Sequence, residues 1–381
     1  MVRISDILRQ GKFPEPDDRP KGKKEKEQPS EERPQEGSEK TGEKSTEGIQ
    51  FSKAMSQEEP GAEKEKETEV AKAMRQMQLD SEESRKIYNQ ALEVIKKILN
   101  KKNPESATIE DLREAYEIVK VIIDRTVLGD KELISLAVNS TDNNYLYAHS
   151  VNVCILSTDL GLALGYNKSK LNELGLGALL HDWSMMKVID ITKQPRTLTE
   201  SEFAEVKKHP IYNSDVLSKI KNIQEGIIYI AKEHHERFDG SGYPGGLKDD
   251  EMNKYSQIVA LVDVYEALTH CRPHRKATEP NEAIKELLAM NASGLFDKEI
   301  IKLFLNRIGL YPVGSWVELN TDEIGKVILS NEDFPLRPKV NIIFGPKKEK
   351  LASMKFIDLS QSTNLYIKRA IKPSELNLKL E

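Results

Sequence analysis

The stretch LGLGALLHD (174–182) runs seven apolar or small residues into a terminal His-Asp pair. Leu171, Leu174, Ala178 and Leu179 share one face at helical spacing, so a helix is expected that ends on His181-Asp182. Working outward, the same arrangement recurs. GIIYIAKE (226–233) predicts a helix ending on His234-His235, and Val151, Ile155, Thr158 and Leu162 predict one that His149 opens. Thr199 and Glu202 have capping-box spacing ahead of Phe203 and Val206, with His209 just beyond. Asp263 stands inside IVALVDVYEAL (258–268), where a lone carboxylate is costly to bury.

All seven histidines fall between 149 and 274. Taken singly, a histidine at a helix end is an ordinary cap or dipole partner, and a buried aspartate ordinarily bonds backbone. Together, His149, His181, Asp182, His209, His234, His235 and Asp263 offer five imidazoles and two carboxylates. That nitrogen and oxygen set suits borderline first-row metals, Fe, Mn, Ni, Co or Zn. Seven donors exceed one ion's need and suit two.

The region carrying these residues reads as helix after helix with short connections, interrupted by the glycine-rich DGSGYPGGL (239–247). Before it, Ile87, Ala91, Ile95, Ile98 and Leu99 recur at helical spacing, as do Leu112, Ala115, Val119 and Ile122 behind a Thr108–Asp111 box. After it, SWVEL (315–319), IGKVIL (324–329), VNIIF (340–344), KFIDL (355–359) and LYIKRAI (365–371) are short and β-prone. The expected fold is therefore mainly α with a small C-terminal antiparallel β unit. Its expected parts are a charged disordered tail over 1–70 with a short helix at its start, a helical region over 71–141, the histidine-bearing domain over 142–310, and the β-rich unit over 311–381.

Charge separates these parts. Residues 11–70 hold 12 basic and 17 acidic residues, a balance of −5, which equals the formal charge of the whole 381-residue chain. The same window has seven apolar residues, too few to offset the entropy of ordering it. The remainder is near neutral, which argues against a surface that coats a nucleic-acid polymer. No apolar run reaches 18 residues, so no membrane span is expected. MVRISDILRQ (1–10) lacks the apolar core of a signal peptide. Cys154 and Cys271 form no metal or disulfide spacing, and a cytoplasmic protein is expected.

The stretches YAHSVNV (147–153), LGLGALLHD, TLTESEFAEVKKHP (197–210), EHHERFDGSGYP (233–244) and VDVYEALTHCRPHR (262–275) resemble the HD-GYP family, metal-dependent phosphodiesterases of the HD superfamily. The resemblance implies an HD-GYP helical bundle. It also implies a two-metal centre on the seven residues named above, Fe or Mn first among the metals, with Asp182 catalytic as the bridging ligand. Tyr243, Arg272 and Arg275 would bind substrate, and the implied substrate is cyclic di-GMP, hydrolysed to pGpG or GMP. The N-terminal arm is left for a protein partner.

Several departures bear on this. Tyr145 stands where some members carry a third-metal glutamate, which favours two metals. Met185 occupies the lysine position of the family's HD-x-x-K motif, and a thioether offers no proton and no positive charge. Lys187 lies two residues on and would point away, while Trp183 and Ser184 add bulk beside the metals. Asn213 and Gln257 stand where glycine and arginine are usual. The expected activity is weakened hydrolysis, with a non-hydrolysing cyclic di-GMP sensor as the alternative.

Overall fold

The computed structural model describes residues 81–101, 104–139, 145–271, 277–331 and 333–376. The tail expected over 1–70 lies outside the described residues. The first described helix, α1 over 81–99, buries Ile87, Ala91, Ile95, Ile98 and Leu99, the face its spacing predicts. Thr108 then accepts its box: its N–H donates to Asp111 at 2.7 Å and opens a 3-10 turn, Ile109–Leu112. That turn leads into α2, Arg113–Val127, whose buried face is Ala115, Ile118, Val119, Ile122 and Ile123. Helix α3 spans Lys131–Asn139.

Helix α4, Tyr145–Ala163, is buried all round from Ala148 to Gly161, as a helix at the centre of a bundle must be. It packs on α2, on α3, on α5 (Lys168–Leu180) and on a second enclosed helix, Lys254–Thr269, buried from Ser256 onward. Between these come α6 (Glu200–Val206), α7 (His209–Ser218) and α8 (Glu225–Glu233); the enclosed helix is α9. Helices α10 (Pro280–Ala292) and α11 (Lys298–Ile308) complete the bundle. Arg307 on α11 grips the buried Asp159 on α4 through Nε at 2.9 Å. His149 lies one turn inside α4 rather than at its start, and His209, just beyond α6 as expected, begins α7.

The C-terminal unit is one antiparallel sheet. Strands β1 (Trp316–Leu319), β2 (Ile324–Leu329), β3 (Lys339–Phe344), β4 (Lys350–Asp358) and β5 (Ile367–Ile371) lie in the order β4-β3-β2-β1-β5. Its own small core is Val317, Leu319, Val327, Val340, Ile342 and Leu359. Strand β4 starts earlier than the expected 355, because a tight turn from Gly345 to Glu349 puts Lys350 directly opposite Phe344.

Candidate metal centre

Five helices deliver donors to one buried point. The C-terminal end of α5 carries His181-Asp182, that of α8 carries His234-His235, α7 begins with His209, and α4 and α9 contribute His149 and Asp263. The seven residues expected as ligands come together as a single cluster. Asp182 is common to its two halves: His149, His181 and Asp182 form one, and Asp182, His209, His234 and His235 the other, with donor atoms within 4.8 Å of one another in each. Asp263 closes the first half, its carboxylate 3.2 Å from His149 Nε2 and 3.7 Å from His235 Nδ1.

The ring tautomers follow from their partners. Nδ1 of His181 donates to Ala178 O at 2.7 Å, that of His209 to Val206 O at 2.7 Å, and that of His234 to Ile230 O at 3.0 Å. His149 Nδ1 meets the Glu266 carboxylate at 2.5 Å. Carbonyls and carboxylates only accept, so each of these rings carries a proton on Nδ1 and turns its Nε2 inward. Burial drives His181 down to about 4, so its ring is neutral at pH 7. Burial, reinforced by His234 and His209, also holds His235 well below the usual histidine range.

The inward Nε2 atoms then face one another. His149 Nε2 is 3.2 Å from His181 Nε2, and His209 Nε2 is 3.2 Å from His234 Nε2. Asp182 Oδ1 sits 3.2 Å from His209 Nε2 and 3.5 Å from His234 Nε2, buried and without a hydrogen-bond donor. Burial alone would raise the pKa of Asp182, but His181, His209 and His234 outweigh it and keep the carboxyl ionised. The same balance, with His149 as the chief lowering neighbour, holds Asp263 ionised. Imidazole nitrogens and carboxylates converging on one buried point are the donor types that bind a divalent cation. The donors present fit a pair of divalent metals.

Several residues that build this site were missed in the sequence. Glu266 orients His149, and Asn152 Nδ2 donates to its other oxygen at 3.0 Å; Tyr88 on α1 in turn donates to Asn152 Oδ1 at 2.7 Å. Glu266 lies one helical turn past Asp263, and a second carboxylate in so apolar a helix was the available signal. Asn213 caps the end of α5, donating to Leu180 O at 2.8 Å and His181 O at 2.6 Å, which accounts for an amide where glycine was expected. Gln257 donates to Asp249 O and Met252 O. Glu236 gathers the glycine-rich loop by accepting from the amides of Gly245, Gly246 and Leu247. That loop sets Tyr243 against His235, ring centroids 4.8 Å apart and planes at 28°.

The departures resolve as follows. Met185 is buried in the hydrophobic core, its N–H on Asp182 O. Lys187 reaches outward to Glu105 at 3.3 Å. Ser184 donates to His209 O at 2.6 Å, and Trp183 is buried and lines a cleft with Val94, Ile98 and Leu112. Tyr145 sits with its hydroxyl 3.4 Å from Thr192 Oγ1. Arg272 and Arg275 lie outside the described residues.

A buried two-part His/Asp centre at the helix ends of an α bundle agrees with the family comparisons. The family described as HD domain matches residues 133–300, and the one described as KOW domain associated with HD domain matches 316–379. Residues 133–300 are therefore an HD domain, and it is related to the HD-GYP cyclic di-GMP phosphodiesterases. The chain is 32% identical to the cyclic di-GMP phosphodiesterase PA4108 of Pseudomonas aeruginosa, over 66% of this chain and 61% of that protein. It is 32% identical to the cyclic di-GMP phosphodiesterase PdeB of Borreliella burgdorferi, over 62% of each. The chain thus spans about three fifths of the length of these relatives. The solved structure of Bd1817, an HDG"Y"P protein from Bdellovibrio bacteriovorus, matches with a TM-score of 0.47 at 23% identity, over 58% of this chain and 68% of that one.

Proposed function

We propose that the chain is a metal-dependent phosphodiesterase acting on cyclic di-GMP, with weakened turnover. One observation carries the reading most: Asp182 is shared by two groups of metal-ligating side chains whose donor atoms lie within 4.8 Å of one another. His149, His181, Asp182 and Asp263 would hold one ion, and Asp182, His209, His234 and His235 the other. Fe or Mn is the metal that the resemblance to HD-GYP proteins implies, and Ni, Co or Zn also suits the donors. When bound, such a pair supplies Lewis-acid chemistry for attack of water on a phosphodiester. The chain's own contribution is to orient donors: Glu266 and three backbone carbonyls fix the tautomers, and Glu236 fixes the loop bearing Tyr243. The product would be pGpG or GMP, with Arg272 and Arg275 as phosphate ligands.

Met185 supports the second reading, a sensor that binds cyclic di-GMP without hydrolysing it. Losing a charge-stabilising donor commonly costs about 10²–10³ in rate. The deciding experiment is hydrolysis of cyclic di-GMP by the Mn- or Fe-loaded chain with Asp182→Ala as the blank. Turnover above that blank is expected, and turnover equal to it, with tight binding retained, selects the sensor. Met185→Lys is expected to raise kcat while lowering the thermal midpoint, since it buries an ammonium in the core.

A further inference from the structure

Lys207 is the C-cap residue of α6, two positions before His209, and is half-buried. Its ammonium lies between two rings, 4.6 Å from the centroid of Phe203 and 5.2 Å from that of Tyr243. Tyr243 is the ring that stacks on His235, and His235 is the most exposed of the five clustered imidazoles. The cation therefore stands at the rim of the metal cluster, beside the donor that faces out of it.

Its neighbours are neutralised and it is not. Lys208 pairs with Glu205 at 2.5 Å and Lys187 with Glu105 at 3.3 Å. Among the described residues no carboxylate lies within ion-pairing distance of Lys207. Ring faces attract an ammonium without cancelling its charge. The pair of rings thus holds a full positive charge in place and leaves it available to an arriving anion. Met185, in contrast, leaves the position three residues past Asp182 without any charge.

We propose that Lys207 is a substrate-binding residue that holds a phosphate of the cyclic dinucleotide at the rim of the cluster. The proposal rests on the phosphodiesterase or sensor reading above and adds the residue that recruits the anion. A held ammonium acts as a point charge on phosphate, so it governs affinity and its salt dependence more than the chemical step.

The test is equilibrium binding of a non-hydrolysable phosphorothioate analogue of cyclic di-GMP to the Mn-loaded full chain at two salt concentrations. Lys207→Met is expected to weaken binding about tenfold or more and to flatten the salt dependence, with metal content and thermal midpoint unchanged. Lys207→Arg is expected to stay within about threefold of the parent chain. If turnover is measurable, KM should rise with kcat nearly constant. Lys207→Met binding within about twofold of the parent, or losing metal in step with affinity, overturns the proposal. Absence of any binding by the parent chain overturns the cyclic di-GMP reading itself, and this inference with it.

Discussion

Glu266 touches His149 on the ring edge that faces away from the cluster, and this is how a residue that offers no donor to a metal still governs one. Its carboxylate accepts from Nδ1 at 2.5 Å and is itself held by Asn152 at 3.0 Å, so both the tautomer and the ring angle of His149 are set. Removing such a partner commonly lowers metal affinity by about 10–100-fold. Glu266→Gln keeps the shape and deletes the charge. Titration with Mn should show one of two sites weakened about tenfold or more, while Asp182→Ala should abolish both. Two unaltered sites in Glu266→Gln would show that backbone packing alone orients His149.

At the scale of elements, the site depends on how closely α5 and α8 approach, because each ends in a ligand pair. Gly177 makes that approach possible: a Cβ there would overlap the Ile230 side chain and stand 3.3 Å from Ile227 Cα on α8. Ile230 could rotate aside, but the α8 backbone could not. Gly177→Ala should therefore wedge the helices apart and destabilise the fold by ~1–3 kcal/mol. It should also weaken metal binding, read by thermal unfolding with and without Mn. An unchanged midpoint would mean that the contact is absorbed by Ile230 alone.

The helix ends that carry ligands were legible in the sequence because apolar periodicity stops at each one. Periodicity reports local burial, so it located His181-Asp182, His234-His235 and the capping box of α6. It could not report pairings across the chain. Asn152 lies 114 positions from Glu266, and Tyr88 lies 64 from Asn152. Nothing local marks them as partners. The same holds in the sheet, where the strands were visible as β-prone runs. That β5 returns to the edge of β1 instead of extending from β4 depends on tertiary packing.

Across the whole molecule, apolar side chains gather into two cores. One runs through every helix from α1 to α11, and the other belongs to the five strands. Backbone links such as Leu310 N–H to Pro335 O at 3.3 Å join them at the surface. The His/Asp cluster lies among the helices of the first, with His235 as its most exposed imidazole. Helix α1 belongs to that core as well, although it precedes the matched HD region at residue 133.

The hydrogen bonds from Tyr88 through Asn152 and Glu266 to His149 would make α1 a party to metal binding at the cluster. Thermodynamic reciprocity requires that any help α1 gives to ion binding be returned as tighter seating of α1 when the ions are bound. Chelation should then speed amide exchange in α1 and leave the β unit as protected as before, a contrast readable by mass spectrometry. Equal exchange in α1 with and without metal would show that the chain of bonds transmits no free energy. If it does transmit, an influence that peels α1 from the bundle discharges the metals, and occupancy of the centre becomes a report on the state of the helix beside the tail.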